Sequence, residues 1–130
     1  MADLYVIDTH VLVWYFIGSK RLQPTLREKI DETRNQNGRL LVPTIVMAEA
    51  LDIAEKGRVN FDFSEMYRRI REEPEFETVS FSAEIFDTTM QIRNIPELHD
   101  RIIVATARFY GTGILTKDRI ILESGEVQVL

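Results

Sequence analysis

The chain has 130 residues, 45% hydrophobic and 28% charged, with no cysteine and a formal net charge of −5. That length fits one domain over residues 1–130, large enough to bury a core without staples. The missing cysteines exclude a disulfide framework, a thiol nucleophile and a thiolate zinc site. The net charge argues against a surface that attracts nucleic acid everywhere, but not against one metal-lined groove where bound cations reverse the local charge. No apolar run can span a bilayer, and the N-terminus lacks the basic and apolar regions of a signal peptide. The expected location is the cytoplasm.

Leu4 to Ile7 is an apolar run that reads as a buried parallel strand ending at Asp8. His10 to Ile17 follows as a helix stopped by Gly18. Trp14, Tyr15 and Phe16 are consecutive on it. A single core is not expected to cover all three, so one is left partly exposed or the three form a partner-facing patch. After a polar connector, Pro24 suits a first helical turn, and Thr25 to Gln36 reads as an amphipathic helix ended by Asn37-Gly38. Arg39 to Val42 is a second strand, ended by Pro43. Thr44 then stands as N-cap of a helix running to Lys56. Most of that helix is apolar, with Glu49 in its middle beside Ile45, Val46 and Ile53. A carboxylate on an apolar face needs a partner. Either a neighbouring Arg or Lys or a bound cation would serve.

Ser64 to Glu73 reads as a helix ended by Pro74, with Met66, Tyr67 and Ile70 on one side. Phe76 to Phe81 alternates as a strand does. Ser82 caps a helix extending to about Asn94, and Ile95-Pro96 breaks it. Leu98 to Tyr110 is the next helix, with a buried stripe of Ile102, Ile103, Ala105, Thr106 and Phe109. Gly113 to Thr116 is a short strand, Arg119 to Leu122 a helical turn, and Val127 to Leu130 a last strand. This alternation predicts an α/β domain with a mainly parallel sheet, and right-handed crossovers bring the carboxyl ends of its strands to one edge.

Four acids then stand out. Asp8 and Asp118 are at strand carboxyl ends, where ligands bind in open α/β sheets. Asp100 opens the helix preceding the last of those strands, and Glu49 lies on the helix after the second. Asp8, Asp100 and Asp118 also stand where helices begin, so capping is the local alternative for each. Gathered together, such acids cannot all stay ionised without cations between them. Hard carboxylate oxygens, with no Cys and two His, favour Mg²⁺ or Mn²⁺ over zinc. The chemistry this suits is phosphoryl transfer or hydrolysis.

These motifs resemble a known family over nearly the whole length. Val6-Ile7-Asp8-Thr9-His10-Val11-Leu12, Pro43-Thr44-Ile45 leading to Glu49, Leu98-His99-Asp100-Arg101 with Ala105-Thr106-Ala107, and Leu115-Thr116-Lys117-Asp118-Arg119 together resemble a PIN-domain ribonuclease of the VapC toxin type. The resemblance implies a three-layer α/β/α sandwich and metal-dependent endonucleolytic cleavage of an RNA substrate. It implies Asp8, Glu49, Asp100 and Asp118 as acidic ligands of Mg²⁺ or Mn²⁺, with Thr9 and Thr116 as polar neighbours. It implies a homodimer and a cognate antitoxin that silences the toxin. Members often carry an acid-proline pair shortly before the residue matching Asp100, and here Glu97-Leu98-His99 takes its place. Arg101, Lys117 or Arg119 would hold flanking phosphates, or stay as solvated charges. The Trp14 helix, with Phe61, Phe63, Met66, Tyr67 and Ile70, would form a groove for an antitoxin helix or a second subunit, or ordinary core.

Two other readings compete. A phospho-receiver is also a small α/β domain with an acidic Mg²⁺ site, but it wants an acid pair after the first strand and an Asp ending a central strand. Here Asp8 is followed by Thr9-His10, and the second strand ends in Val42-Pro43. A non-catalytic PIN-like binding domain is the other rival, and it is disfavoured by the presence of all four acids.

Overall fold

The computed structural model describes residues 3–129. Strands β1 (Leu4–Ile7), β2 (Arg39–Pro43), β3 (Phe76–Val79) and β4 (Gly113–Leu115) form one parallel sheet in the order β3-β2-β1-β4. Leu40, Leu41 and Val42 are buried in succession, as a strand covered on both faces requires. Seven helices appear among the described residues: α1 (Thr9–Ile17), α2 (Pro24–Asn35), α3 (Thr44–Glu55), α4 (Phe63–Glu72), α5 (Ala83–Thr89), α6 (Leu98–Phe109) and α7 (Arg119–Glu123). None is long and apolar enough to cross a membrane.

The chain steps one way from β1 to β2 to β3 and then returns past both to β4. Right-handed crossovers in opposite directions put helices on opposite faces, which gives the expected three layers. The reversal leaves a switch point between β1 and β4 at the carboxyl edge, the position where ligands bind in such sheets.

Several boundaries differ from the sequence reading. α1 begins at Thr9, with Asp8 as its N-cap. The cap position of α3 is Pro43, which still pairs with Val79 in the sheet, so Thr44 is the first helical residue. The Thr44 hydroxyl instead accepts from Phe81 N, at 3.3 Å. That bond lies beyond the end of β3, which stops at Val79 because its partner β2 stops at Pro43. α4 starts one residue early because Asp62 accepts from Glu65 N. α5 ends at Thr89, well short of Asn94, whose φ of 64° is left-handed. The last strand reduces to one bridge, Ile114 to Val129, and Leu130 lies outside the described residues.

The core also differs in two places. α6 is buried at every position from Ile102 to Ala107, while Phe109 is 46% exposed on its last turn. The aromatic trio is covered more fully than one face of a helix allows. Trp14 is buried and Tyr15 and Phe16 are half-buried. Phe16 packs on Phe76, and the Tyr15 hydroxyl donates to Asp31 at 2.6 Å.

Candidate active site

The register of the sheet builds the site. Ile7 pairs with Leu115, so Asp8 and Thr116 stand level with each other one residue past the last pair of β1 and β4. Asp8 N still donates to Leu115 O at 3.0 Å. Thr116 is buried, and its hydroxyl donates to Asp8 Oδ2 at 2.5 Å. The Thr116 hydroxyl oxygen in turn accepts from Asp118 N at 3.0 Å. One threonine thus ties the two aspartates to one edge.

Glu49 arrives from α3. Thr9, buried at the start of α1, donates its hydroxyl to Glu49 Oε1 at 2.6 Å. The other carboxylate oxygen lies 3.5 Å from His99 Nδ1, which is also 3.4 Å from Glu97 Oε1. The side chains facing Glu49 are therefore a threonine and a histidine; of the two partners the sequence allowed, a neighbouring Arg or Lys is not the one found. Asp100 enters from the first turn of α6. It does not cap that helix, because Glu97 does, accepting from Asp100 N at 2.8 Å. Asp118 does cap α7, with Oδ1 on Ile120 N and Ile121 N. As N-cap of α1, the Asp8 side chain takes one backbone N–H, that of the adjacent Thr9.

Asp8, Thr9, Glu49, His99, Asp100 and Asp118 line one cleft of about 430 Å³, together with Ile45, Ala48, Asp52, Ile53, His10 and Lys117. All four sequence-nominated acids line it, and so does Thr9; Thr116 and Arg101 do not, Thr116 lying behind Asp8 as its hydrogen-bond donor. The Arg101 Nε is buried without a hydrogen-bond partner. Three contributors escaped the sequence reading: the Glu97 cap, the reach of His99 to Glu49, and Asp52. Asp52 had a signal, since Ile45, Ala48, Glu49, Asp52 and Ile53 repeat at three- and four-residue spacing along one stripe of α3. The other two depend on contacts between elements far apart in sequence.

The electrostatics of the cleft are unfavourable to its own charges. Burial pushes Asp8 above its ordinary value, against the opposing bonds from Thr116 and Thr9, and the nearby Asp118 adds to the rise. Burial likewise raises Glu49, partly offset by the Thr9 hydroxyl. Asp100 is pushed up to about 7, first by burial and then by the charges of Asp8, Asp118, Glu97 and Glu49. His10 is held below its usual range by burial and by Lys117. Acids that raise one another in a cleft are the charge pattern a cation would relieve. The donor set is hard oxygen, which suits Mg²⁺ or Mn²⁺. Among the described residues, however, no three Asp, Glu or His side chains already stand close enough to share one ion. Sharing an ion therefore requires the side chains to turn toward it.

Fold and site together define an α/β domain with an acidic cleft at the switch point of a parallel sheet. The chain belongs to the PIN domain family, whose sequence model matches residues 5–126. Solved structures agree in fold. VapBC2 from Rickettsia felis, bound to a DNA fragment from its promoter, superposes with a TM-score of 0.75 at 14% identity, covering 98% of this chain and 97% of that one. DNA-bound VapBC from Salmonella typhimurium gives 0.68 at 14% identity, covering 100% and 98%. VapC20 from Mycobacterium tuberculosis, a toxin that cleaves the sarcin-ricin loop, gives 0.65 at 13% identity, covering 97% and 99%. No curated protein matches the chain in sequence. Family membership removes the phospho-receiver reading.

Proposed function

We propose that this chain is a divalent-metal-dependent endoribonuclease and the toxin of a toxin–antitoxin pair. The observation that carries the reading is the convergence of Asp8, Glu49, Asp100 and Asp118 on one cleft, where Asp100 is pushed up to about 7 by burial and by its acidic neighbours. The similar structures, toxin–antitoxin complexes and a toxin that cleaves the sarcin-ricin loop, support the choice of RNA as substrate and of an antitoxin as partner.

Asp8, Asp100 and Asp118 would hold Mg²⁺ or Mn²⁺, with Glu49 holding a ligand water or a second ion. A divalent ion in such a site supplies a water of lowered pKa and stabilises charge on the leaving oxygen. Thr116 fixes the Asp8 carboxylate, and Thr9 fixes Glu49 at the opposite wall. Outer hydrogen bonds of this kind orient ligands before an ion arrives. The apolar flank of Ile45, Ala48 and Ile53 limits water on one side of the cleft.

The protein works in the cytoplasm as a homodimer under this reading. Ile17 is 40% exposed beside a small pocket lined by Phe16, Phe61 and Met66, and Tyr67 is 38% exposed. An antitoxin helix or the second subunit would cover them. Met66 and Ile70 belong to the core and are not available. Light scattering on the purified chain should give a dimer mass; a monomer at every concentration removes that part.

The test is cleavage of a mixed structured RNA pool in Mn²⁺ or Mg²⁺, run beside EDTA and the Asp100→Asn variant. Cleavage lost in both controls is expected. Cleavage that survives Asp100→Asn overturns the site assignment, and no cleavage with no metal binding favours the binding-only alternative.

A further inference from the structure

Lys117 is the only Lys or Arg among the residues lining the acidic cleft. Despite the carboxylates around it, it makes no ion pair among the described residues. Its ammonium instead stands 5.6 Å from the centroid of the Trp14 ring. A cation–π contact at a solvated position is worth only about 0.5–1 kcal/mol, so the ammonium is lightly held. Its base is held firmly. Thr116 on one side is buried and tied to Asp8 and to Asp118 N, and Asp118 on the other side caps α7. Trp14 is itself only 8% exposed within α1. Both ends of the contact are fixed, and only the lysine stem is free to swing.

The other basic residues near the site do not line the cleft. The Arg119 side chain is 81% exposed and paired with Glu123 at 2.8 Å, and it does not line the cleft. Arg101 has its Nε buried away from any partner and also lies outside the lining. We propose that Lys117 grips a phosphate of the RNA strand next to the one being cut, leaving Trp14 as it does so. This rests on the ribonuclease reading above. A phosphate is the anion that fits, because a polyanionic strand brought to the cations of the acidic cleft must present neighbouring phosphates at its rim, where Lys117 is anchored. The competing role is an internal counter-charge to the acids.

The test measures binding of a mixed-sequence single-stranded RNA to the intact chain in Ca²⁺, across a KCl series. Wild type, Lys117→Met, Lys117→Arg and the remote Lys20→Met are compared. Lys117→Met should weaken binding whatever the sequence and lower the slope of log affinity against log salt by about 0.7, the value for one lost single-strand phosphate contact. Lys117→Arg should keep the slope, and Lys20→Met should match wild type. Because Trp14 is the sole tryptophan, its emission should change on adding unlabelled RNA to wild type and not to Lys117→Met. Wild-type affinity and slope in Lys117→Met overturn the proposal, and if Mn²⁺ then binds the variant more tightly, the counter-charge role is the correct one. If wild type neither binds nor cleaves RNA, the ribonuclease reading falls first. If wild type does both and Lys117→Met is unchanged, only the Lys117 assignment falls.

Discussion

The two edges of the sheet handle their acids in opposite ways. At the amino edge, around the starts of β2 and β3, Glu73 and Glu75 are held by arginines. Arg34 donates Nε to Glu75 at 2.9 Å and also pairs with Glu73, which takes Arg69 Nε at 2.8 Å on its other oxygen. Arg34 lies over the Phe76 ring and donates to the Tyr15 hydroxyl at 3.0 Å. At the carboxyl edge Asp8, Glu49, Asp100 and Asp118 have no Lys or Arg ion pair among the described residues; they meet two threonine hydroxyls and a histidine, and the one lysine of the cleft stands over an indole. The first arrangement closes on itself and is structural. The second leaves acidic groups without a compensating cation inside the protein, which costs stability in the free chain and which a bound cation would relieve.

The sharpest way to break this contrast is to remove one of the proposed ligand acids. Asp100→Asn should reduce Mn²⁺-dependent RNA cleavage by more than the roughly 10–100-fold that changes to outer hydrogen-bonding groups cause. The variant should stay folded, because the Asp100 side chain caps nothing and α6 keeps its Glu97 cap. At the opposite edge the effect should fall on stability alone. Arg34→Met strands Glu75 and leaves Glu73 with Arg69 alone. Breaking a buried pair costs about 3–5 kcal/mol, and because the Arg34 side chain is 20% exposed the loss in urea unfolding should be nearer about 2 kcal/mol. Mn²⁺ affinity should not move.

Thr116→Val is a milder probe of the carboxyl edge. It removes the donor to Asp8 and the acceptor of Asp118 N, so Mn²⁺ affinity should drop about tenfold, with Thr116→Ser restoring it. The smallest effect sought is in pH. The carboxyl of Asp100 rises from 3.8 to about 7 on folding. A raised acid favours the folded chain while it is protonated, so its contribution is fully present below pH 3.8 and is lost as pH climbs through about 7. Burial of Asp8 and Glu49 acts in the same direction. In EDTA the melting temperature should therefore fall between weakly acidic and weakly alkaline pH. The fall should be shallower in Asp100→Asn and reversed by saturating Mn²⁺.

Much of this was legible in the sequence. The apolar runs of β1, β2 and β4 fix the sheet because strands buried on both faces need continuous apolar residues. Asp8 and Asp118 were placed by the ends of those runs, and Glu49 by its apolar helical neighbours. What escaped depends on contacts across the fold. β3 ends where its partner ends, not where its alternation ends. Pro43 serves the strand and the helix start together, which displaced Thr44 from the cap. Phe109 has the spacing of a core residue but lies on the last turn of α6, beyond its neighbours. The Thr9–Glu49 and Thr116–Asp8 bonds span 40 and 108 residues of sequence, and no local pattern announces either.

The central claim is that the uncompensated acids of the carboxyl edge form a divalent-metal site. Calorimetric titration of Mn²⁺ into wild type and Asp100→Asn at neutral pH tests it without requiring the RNA target. The account predicts saturable binding to wild type, with protons released as the raised carboxyls ionise, and strongly weakened binding to the variant. Absence of binding to wild type, or equal affinity in both proteins, would contradict it.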